Sequence, residues 1–172
     1  MPVPLRAGRE AAGPLWHHPA VAVPVDPADL DPADRELVEL AVRMRDRAYA
    51  PYSEYRVGAA VRAADGGLYG GANLEGVDYT LTTHAEMHAL NAMRLATDAP
   101  AVALAFSTGS AAEVPMSCGL CRQRLREFAA TLDVPVYAVS LRDGAVARIH
   151  RATLEEILPY SVSYTHLTLP TK

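Results

Sequence analysis

The chain has 172 residues and a formal charge of −4 at neutral pH, with 16 basic and 20 acidic side chains. Half of the residues are apolar and 21% are charged, which excludes a fibrous or disordered chain. Nucleic acid is not expected as the main ligand, because a mildly acidic protein has no excess of cations for a phosphate backbone. The longest clean apolar run, 101–106, is too short to span a bilayer, and residues 1–16 do not resemble an export signal. We therefore expect a cytoplasmic protein without membrane contact.

Composition divides the chain into three parts. Six of the 13 prolines lie in residues 1–31, which predicts a proline-rich N-terminal extension outside the core. Residues 163–172 contain the only lysine, Lys172, and no alanine, so we interpret them as a non-native tail. Residues 32–162 are then expected to form one domain.

The hydrophobic pattern of residues 32–162 alternates between helical and strand periods. Asp31 is a good N-cap for a first helix that begins at Pro32 and ends before Pro51. Two strands, 55–63 and 68–75, flank a turn and should pair as a hairpin. The later predicted elements are a helix at 83–97, a strand at 102–107, a helix from about residue 118, strands at 134–139 and 145–149, and a short helix at 154–158. This order predicts an α/β fold, a three-layer α/β/α sandwich around a five-stranded mixed sheet.

Two short motifs contain residue types that bind metals. Cys118 and Cys121 are three residues apart at the start of a predicted helix, where they share a face and where backbone N–H groups favour thiolates. Together with His84 they would supply three ligands to a tetrahedral zinc ion and leave the fourth position for water. An open site of this kind indicates catalysis, and Glu86 is the candidate group for proton transfer.

The same residues allow two other interpretations. A Cys-x-x-Cys pair can be a redox couple, although that assignment gives no role to His84 or Glu86. His88 lies four residues after His84 on the same helix face, so the two histidines and two cysteines could also close a structural zinc site. Glu86 would then have no catalytic function.

The motifs also occur in the order found in a known family. They cover residues 49–53, 57–60, 73–75, 84–86, 118–123 and 158–161. The chain thereby resembles the cytidine deaminases over about residues 34–161. One position differs, since Ser117 precedes the first cysteine where the family pattern has proline, and Pro115 lies two positions earlier.

This resemblance implies a cytidine deaminase-like fold and the hydrolysis of cytidine or deoxycytidine to uridine or deoxyuridine, with release of ammonia. It implies one zinc ion per subunit, with Glu86 as the residue that carries protons to the ring nitrogen and the departing ammonia. Asn73 and Glu75 match the family's ribose-binding pair. Tyr55 matches an aromatic position near the pyrimidine, and the backbone N–H of Ala85 matches a donor to the base carbonyl. The resemblance further implies a homotetramer in which neighbouring subunits share active sites.

The displaced proline leads to a hypothesis about substrate range. Moving Pro115 should change the path of the loop through Met116 and Ser117, beside the place where the leaving amine departs. We therefore include Ser117 among the substrate-binding candidates and hypothesise that substituents on the exocyclic amine are tolerated. The alternatives are a deaminase of another aminopyrimidine nucleoside, such as an antibiotic nucleoside, and a non-catalytic structural zinc protein.

Overall fold

A computed structural model of the protein describes residues 21–109 and 114–163. Most of the predicted N-terminal extension and nearly all of the predicted tail lie outside these residues. The elements are β1 (Val23–Val25), a 3₁₀ turn (Pro27–Asp29), α1 (Pro32–Arg45), β2 (Gly58–Ala63), β3 (Leu68–Ala72), α2 (Ala85–Ala96), β4 (Ala101–Thr108), α3 (Gly119–Phe128), β5 (Pro135–Arg142), β6 (Ala145–Thr153) and α4 (Leu154–Ile157). Within the described ranges, no helix is long and apolar enough to cross a membrane.

The strands form one mixed sheet in the order β1-β6-β5-β4-β2-β3. The β4 and β5 strands are parallel, and every other neighbouring pair in this sheet is antiparallel. Alternate residues of β2 point to opposite faces, so that Val61 belongs to a core cluster that includes residues of α2, α3 and α4, while Ala60 belongs to the cluster that includes residues of α1. Helices therefore cover both faces of the sheet, and the predicted three-layer α/β/α sandwich is confirmed.

The sheet has six strands, so the prediction of five was wrong. The additional strand, β1, comes from the segment predicted to be an extension, and it pairs with β6 through Val25 and Ile149. Pro24 fits there because β1 is an edge strand, where a residue without an N–H can be accommodated. Leu30, in the same segment, is buried in the cluster beneath α1. Proline content alone therefore led to an incorrect boundary for the packed part of the chain.

The buried carboxylate of Asp34 holds α1 on the sheet. Arg62 of β2 donates to Asp34 Oδ1 at 2.7 Å, and the Tyr137 hydroxyl of β5 donates to Asp34 Oδ2. Burial, reinforced by the hydrogen bond to Asp34, raises the pKa of Tyr137 to about 12. The first helix is thus held on its face of the sheet by directional bonds as well as by apolar packing.

The second helix lies very close to β3, and a glycine makes this possible. A Cβ atom on Gly71 would lie 2.3 Å from the Ala85 carbonyl oxygen and 2.4 Å from the Ala89 backbone nitrogen. No side chain other than hydrogen fits in that space without moving the helix. Gly71 therefore determines the position of the α2 N-terminus, where His84 and Glu86 are found.

Candidate active site

The first turns of α2 and α3 meet on the same face of the sheet. His84 is the N-cap residue of α2 and Cys118 is the N-cap residue of α3, and neither side chain caps its own helix. Both side chains are consequently free to point towards the space between the two helix ends. Loop conformation, helix packing and the close approach at Gly71 together place residues from distant parts of the sequence beside one another.

His84, Cys118 and Cys121 form a potential metal site, the one such cluster of three among residues 21–109 and 114–163. His84 Nδ1 lies 3.4 Å from Cys118 Sγ and 3.3 Å from Cys121 Sγ. A tetrahedral zinc ion with ordinary Zn–N and Zn–S bonds separates such atoms by about 3.6 Å, so the donor set fits zinc within a few tenths of an ångström. One nitrogen and two sulfur ligands leave one coordination position for water.

The charge environment of Cys121 also suits a cation. Burial raises the pKa of its thiol, and the neighbouring Glu86 carboxylate and Cys118 raise it further. A buried thiolate beside other negative groups is unfavourable by itself. A divalent cation between the ligands would compensate this charge and favour the deprotonated sulfur.

His88 does not belong to this cluster. Its Nδ1 lies 2.7 Å from the backbone carbonyl oxygen of Ala72, so its ring is engaged with the end of β3. The interpretation as a closed site of two cysteines and two histidines therefore finds no support. The redox interpretation is also weakened, because both cysteine sulfur atoms face His84.

Glu86 lies in the first turn of α2 and is 5% exposed. The Ser117 hydroxyl, also buried, donates a hydrogen bond to Glu86 Oε1 at 2.8 Å. Glu86 lines the same cavity as His84 and Cys118. A buried carboxyl group therefore lies beside the potential metal site, in a position suited to proton transfer.

The cavity has a volume of about 280 Å³, near the lower end of the range of about 300–1,000 Å³ typical of small-molecule sites. All five of the substrate-binding candidates line it, namely Tyr55, Asn73, Glu75, Ala85 and Ser117. Ala85 is the first residue of α2, where backbone N–H groups have no partner within the helix. Its N–H is suited to bind an acceptor on a ligand.

The structure assigns further contacts to Asn73 and Glu75. Asn73 binds the backbone on both sides of residue 56, with Nδ2 donating to the Tyr55 carbonyl and Oδ1 accepting from the Val57 N–H. Glu75 accepts hydrogen bonds from the Ser53 hydroxyl and from the backbone N–H groups of Tyr52 and Ser53. These contacts, that of the Ser53 hydroxyl above all, lower the pKa of Glu75. Both side chains thus shape the cavity wall in addition to facing the cavity.

Three contributing residues had no predicted role. Ser53 holds Glu75, although its motif 49–53 was part of the resemblance. Arg122, in the motif 118–123, donates to the backbone carbonyls of Ser117 and Ile157, which ties the loop before α3 to α4. Phe106, near the end of β4, lines the cavity. Its place near the C-terminal end of a buried strand was the one signal that could have indicated it.

Comparison with known proteins gives a consistent result. The sequence profile of the cytidine and deoxycytidylate deaminase zinc-binding region matches residues 32–138. A cytidine deaminase of Sporosarcina psychrophila is 34% identical over 134 residues, covering 77% of this chain and 93% of that protein. A cytidine deaminase of Halalkalibacterium halodurans is 37% identical over 127 residues, covering 73% and 92%.

Solved structures agree with the sequence comparison. Cytidine deaminase from Burkholderia pseudomallei superposes with a TM-score of 0.67 at 29% identity, covering 74% of this chain and 97% of that one. The enzyme from Mycobacterium tuberculosis gives a TM-score of 0.61 at 30% identity, covering 78% and 99%. Because the profile match extends over more than half of the sequence and includes His84, Glu86, Cys118 and Cys121, the chain belongs to the zinc-binding cytidine and deoxycytidylate deaminase family.

Proposed function

We propose that the protein hydrolyses cytidine or deoxycytidine to uridine or deoxyuridine and ammonia. The observation that carries this proposal is the buried Glu86 carboxyl group, which lines one cavity of about 280 Å³ together with His84 and Cys118 of the three-residue ligand set. A purely structural zinc site requires neither a buried acid nor an adjoining cavity.

The zinc ligands and Glu86 have separate tasks in this reaction. Zinc, when held by His84, Cys118 and Cys121, brings the pKa of a bound water close to neutral. Glu86 takes a proton as the water oxygen bonds to ring carbon four, and delivers that proton to the adjacent ring nitrogen. It then passes the second proton of the water to the amino group as the carbon–nitrogen bond breaks. Substrate and one water are thereby converted to the uracil nucleoside and ammonia, and Glu86 ends in its starting state.

The remaining cavity residues orient the nucleoside. In this proposal the Ala85 N–H donates to the base carbonyl, Asn73 and Glu75 bind the ribose, and Tyr55 packs against the pyrimidine. Tyr55 is half exposed and lines the cavity, which supports a contact made when substrate enters. Ribose contacts would help to position the base, so free cytosine is expected to be a much poorer substrate than cytidine.

The decisive experiment measures ammonia release from cytidine, deoxycytidine and cytosine by the wild type and by Glu86→Ala. Turnover of both nucleosides, poor turnover of cytosine and loss of activity in Glu86→Ala are expected. Unchanged kcat in Glu86→Ala would contradict the proton-transfer role. Equal kcat/KM for cytosine and cytidine would contradict the ribose contacts.

We extend the proposal to cytidines that carry substituents on the exocyclic amine. Pro115 and Met116 line the cavity beside Cys118, and the unbranched thioether of Met116 can repack around groups of different shape. The wild type and Met116→Phe should be assayed with cytidine and with N-alkyl and N-acyl cytidines. A selective loss with the substituted substrates in Met116→Phe is expected. Inactivity of the wild type towards all of them would restrict the enzyme to the free amine. An antibiotic aminopyrimidine nucleoside belongs in the same assay.

We further propose that the protein is a homotetramer. Large apolar side chains are exposed next to cavity-lining residues 53, 75 and 82, and they include Tyr52, Leu74, Val77, Tyr79 and Leu81. Covering such a patch with a second copy of the chain would bury apolar area beside the cavity mouth. Light scattering after gel filtration should give four times the chain mass. Leu81→Asp should reduce both the mass and the activity, and a monomeric, fully active wild type would contradict the proposal.

We also place the protein in the cytoplasm. The observation in support is the pair of free cysteine ligands, Cys118 and Cys121, which a reducing compartment preserves. Fractionation of cells that express the full chain tests this assignment, and recovery outside the cytoplasm would contradict it.

A further inference from the structure

Ser117 occupies an unusual position next to the acid of the site. Its hydroxyl donates to Glu86 Oε1 at 2.8 Å, and the two side chains are 4% and 5% exposed. A hydrogen bond from a hydroxyl to a carboxylate, shielded from water, is stronger and more restrictive than one at the surface. Proline, which the family pattern has at this position, carries no hydroxyl. The bond is therefore a property of this chain's own sequence.

The backbone of Ser117 is itself held in place. Arg122 donates from Nε to the Ser117 carbonyl and from Nη1 to the Ile157 carbonyl at 2.8 Å, and the next residue, Cys118, is the N-cap of α3. The hydroxyl thus projects from a segment that is fixed by α3 and α4, and Glu86 projects from α2. This hydrogen bond connects the two halves of the site, in addition to the contacts between His84 and the two cysteines.

A carboxyl group that carries protons needs one oxygen to bind them and a fixed orientation. A donor at Oε1 restricts rotation of the carboxyl group, and it can be retained when the proton is on the other oxygen. We propose that Ser117 is a positioning residue that fixes Glu86 through Oε1 and makes Oε2 the oxygen that moves the proton. In each transfer the proton passes from water to Oε2 and from Oε2 to the substrate, while the Ser117 proton remains on its own oxygen. This inference rests on the proposed function.

The principal variant is Ser117→Ala, which removes the hydroxyl and little else. It should lower kcat for cytidine on the order of tenfold to a hundredfold, since small errors in the placement of a catalytic group have effects of that size. The KM for cytidine, the affinity for the product uridine measured by calorimetry, and the content of one zinc per subunit should stay within about twofold of wild type, because in this proposal the Ser117 hydroxyl binds Glu86 and not the substrate, so that only acid placement changes. Ser117→Thr retains a hydroxyl and should recover most of the lost kcat.

Ser107→Ala provides a matched control. Ser107 is a fully buried residue of β4, and its hydroxyl donates to the Ala41 carbonyl at 2.8 Å, away from the cavity lining. This variant should lower the melting temperature as Ser117→Ala does and leave kcat unchanged. The contrast separates a positioning effect from the general cost of removing a buried hydrogen bond.

The double variant tests whether Ser117 acts through Glu86. Ser117→Ala should have no further effect on the residual rate of Glu86→Gln, because the group that it positions is already disabled. The proposal would be overturned by a kcat of Ser117→Ala within about twofold of wild type, by loss of zinc or of uridine binding in that variant, by a Ser117→Thr variant as slow as Ser117→Ala, or by multiplicative losses in the double variant. Full activity of Glu86→Gln would instead refute the proposed function itself.

Discussion

Asn73 donates a hydrogen bond from Nδ2 to the Tyr55 carbonyl oxygen at 2.9 Å, 18 positions earlier in the chain. The same side chain accepts from the Val57 N–H at 2.8 Å, and it is 7% exposed. The Asn73 amide thus bridges two backbone positions of the segment that carries Tyr55, and it holds this segment in the cavity wall. A residue matched to ribose binding also maintains the shape of the pocket that would receive the ribose.

Replacing Asn73 should therefore affect both stability and substrate affinity. Asn73→Ala leaves the Tyr55 carbonyl and the Val57 N–H, both partly buried, without their partner, and losses of this kind are typically worth about 1–3 kcal/mol of unfolding free energy. We expect a lower midpoint in urea unfolding and a higher KM for cytidine. Asn73→Asp keeps the acceptor but sets a carboxylate oxygen against the Tyr55 carbonyl oxygen in a buried position, so it should also lower the stability. A stable Asn73→Ala variant with unchanged KM would contradict both roles.

The two histidines of α2 should differ in their effect on metal content. His84→Ala removes a ligand of the cluster and should reduce bound zinc well below one equivalent after dialysis. His88→Ala removes only the contact to the Ala72 carbonyl and should retain one zinc per subunit. Elemental analysis of both purified variants makes the comparison. Loss of zinc from His88→Ala would instead support the interpretation of a closed structural site with His88 as a ligand.

The Glu75 carboxylate should make stability depend on pH in the acid range. The Ser53 hydroxyl, opposed by desolvation and assisted by the N–H groups of Tyr52 and Ser53, holds the pKa of Glu75 below its ordinary value of 4.5. A lowered folded-state pKa gives a contribution that is complete above pH 4.5 and is lost as the pH falls through the folded value. The difference in unfolding free energy between wild type and Glu75→Gln should therefore shrink below pH 4.5.

Ser53→Ala is the companion variant for this titration. It removes the main cause of the shift and should reduce the pH dependence of the same difference, measured by urea unfolding between pH 7 and pH 3.5. A difference between wild type and Glu75→Gln that stays constant across this range would show that the carboxylate contacts do not stabilise the fold.

Gly71 should not tolerate a side chain. Gly71→Ala places a Cβ against the backbone of α2, and overpacking of this kind typically costs about 1–3 kcal/mol, with larger values where backbone must move. Because α2 carries His84 and Glu86, activity should fall with stability. Gly67→Ala is the control, since its Cβ would meet the end of the Tyr69 side chain, which can move aside. Equal melting temperatures for the two variants would argue against the close helix–strand packing.

Much of the site could be predicted because its chemistry is encoded in short segments. His84 and Glu86 are two residues apart, and Cys118 and Cys121 are three apart, so each pair takes its geometry from one turn of backbone. Within the part of the chain that the structure describes, helical and strand periods located the four α-helices and five of the six strands of the sheet, because burial on one face imposes a regular spacing. The boundaries were less accurate, since the strand predicted at 145–149 extends over Ala145–Thr153.

The tertiary structure decided what depends on contacts between distant segments. Strand β1 has three residues and becomes a strand only by pairing with β6, more than a hundred positions away, so no local pattern revealed it. His88 shares a helix face with His84, yet its ring contacts the backbone carbonyl of Ala72 at the end of β3. The hydrogen bond from Ser117 to Glu86 spans 31 positions and depends on how α2 and α3 pack. Local spacing determined which reactive side chains share one turn of backbone. Packing between distant segments determined which of these side chains contact one another, because their partners come from other parts of the sequence.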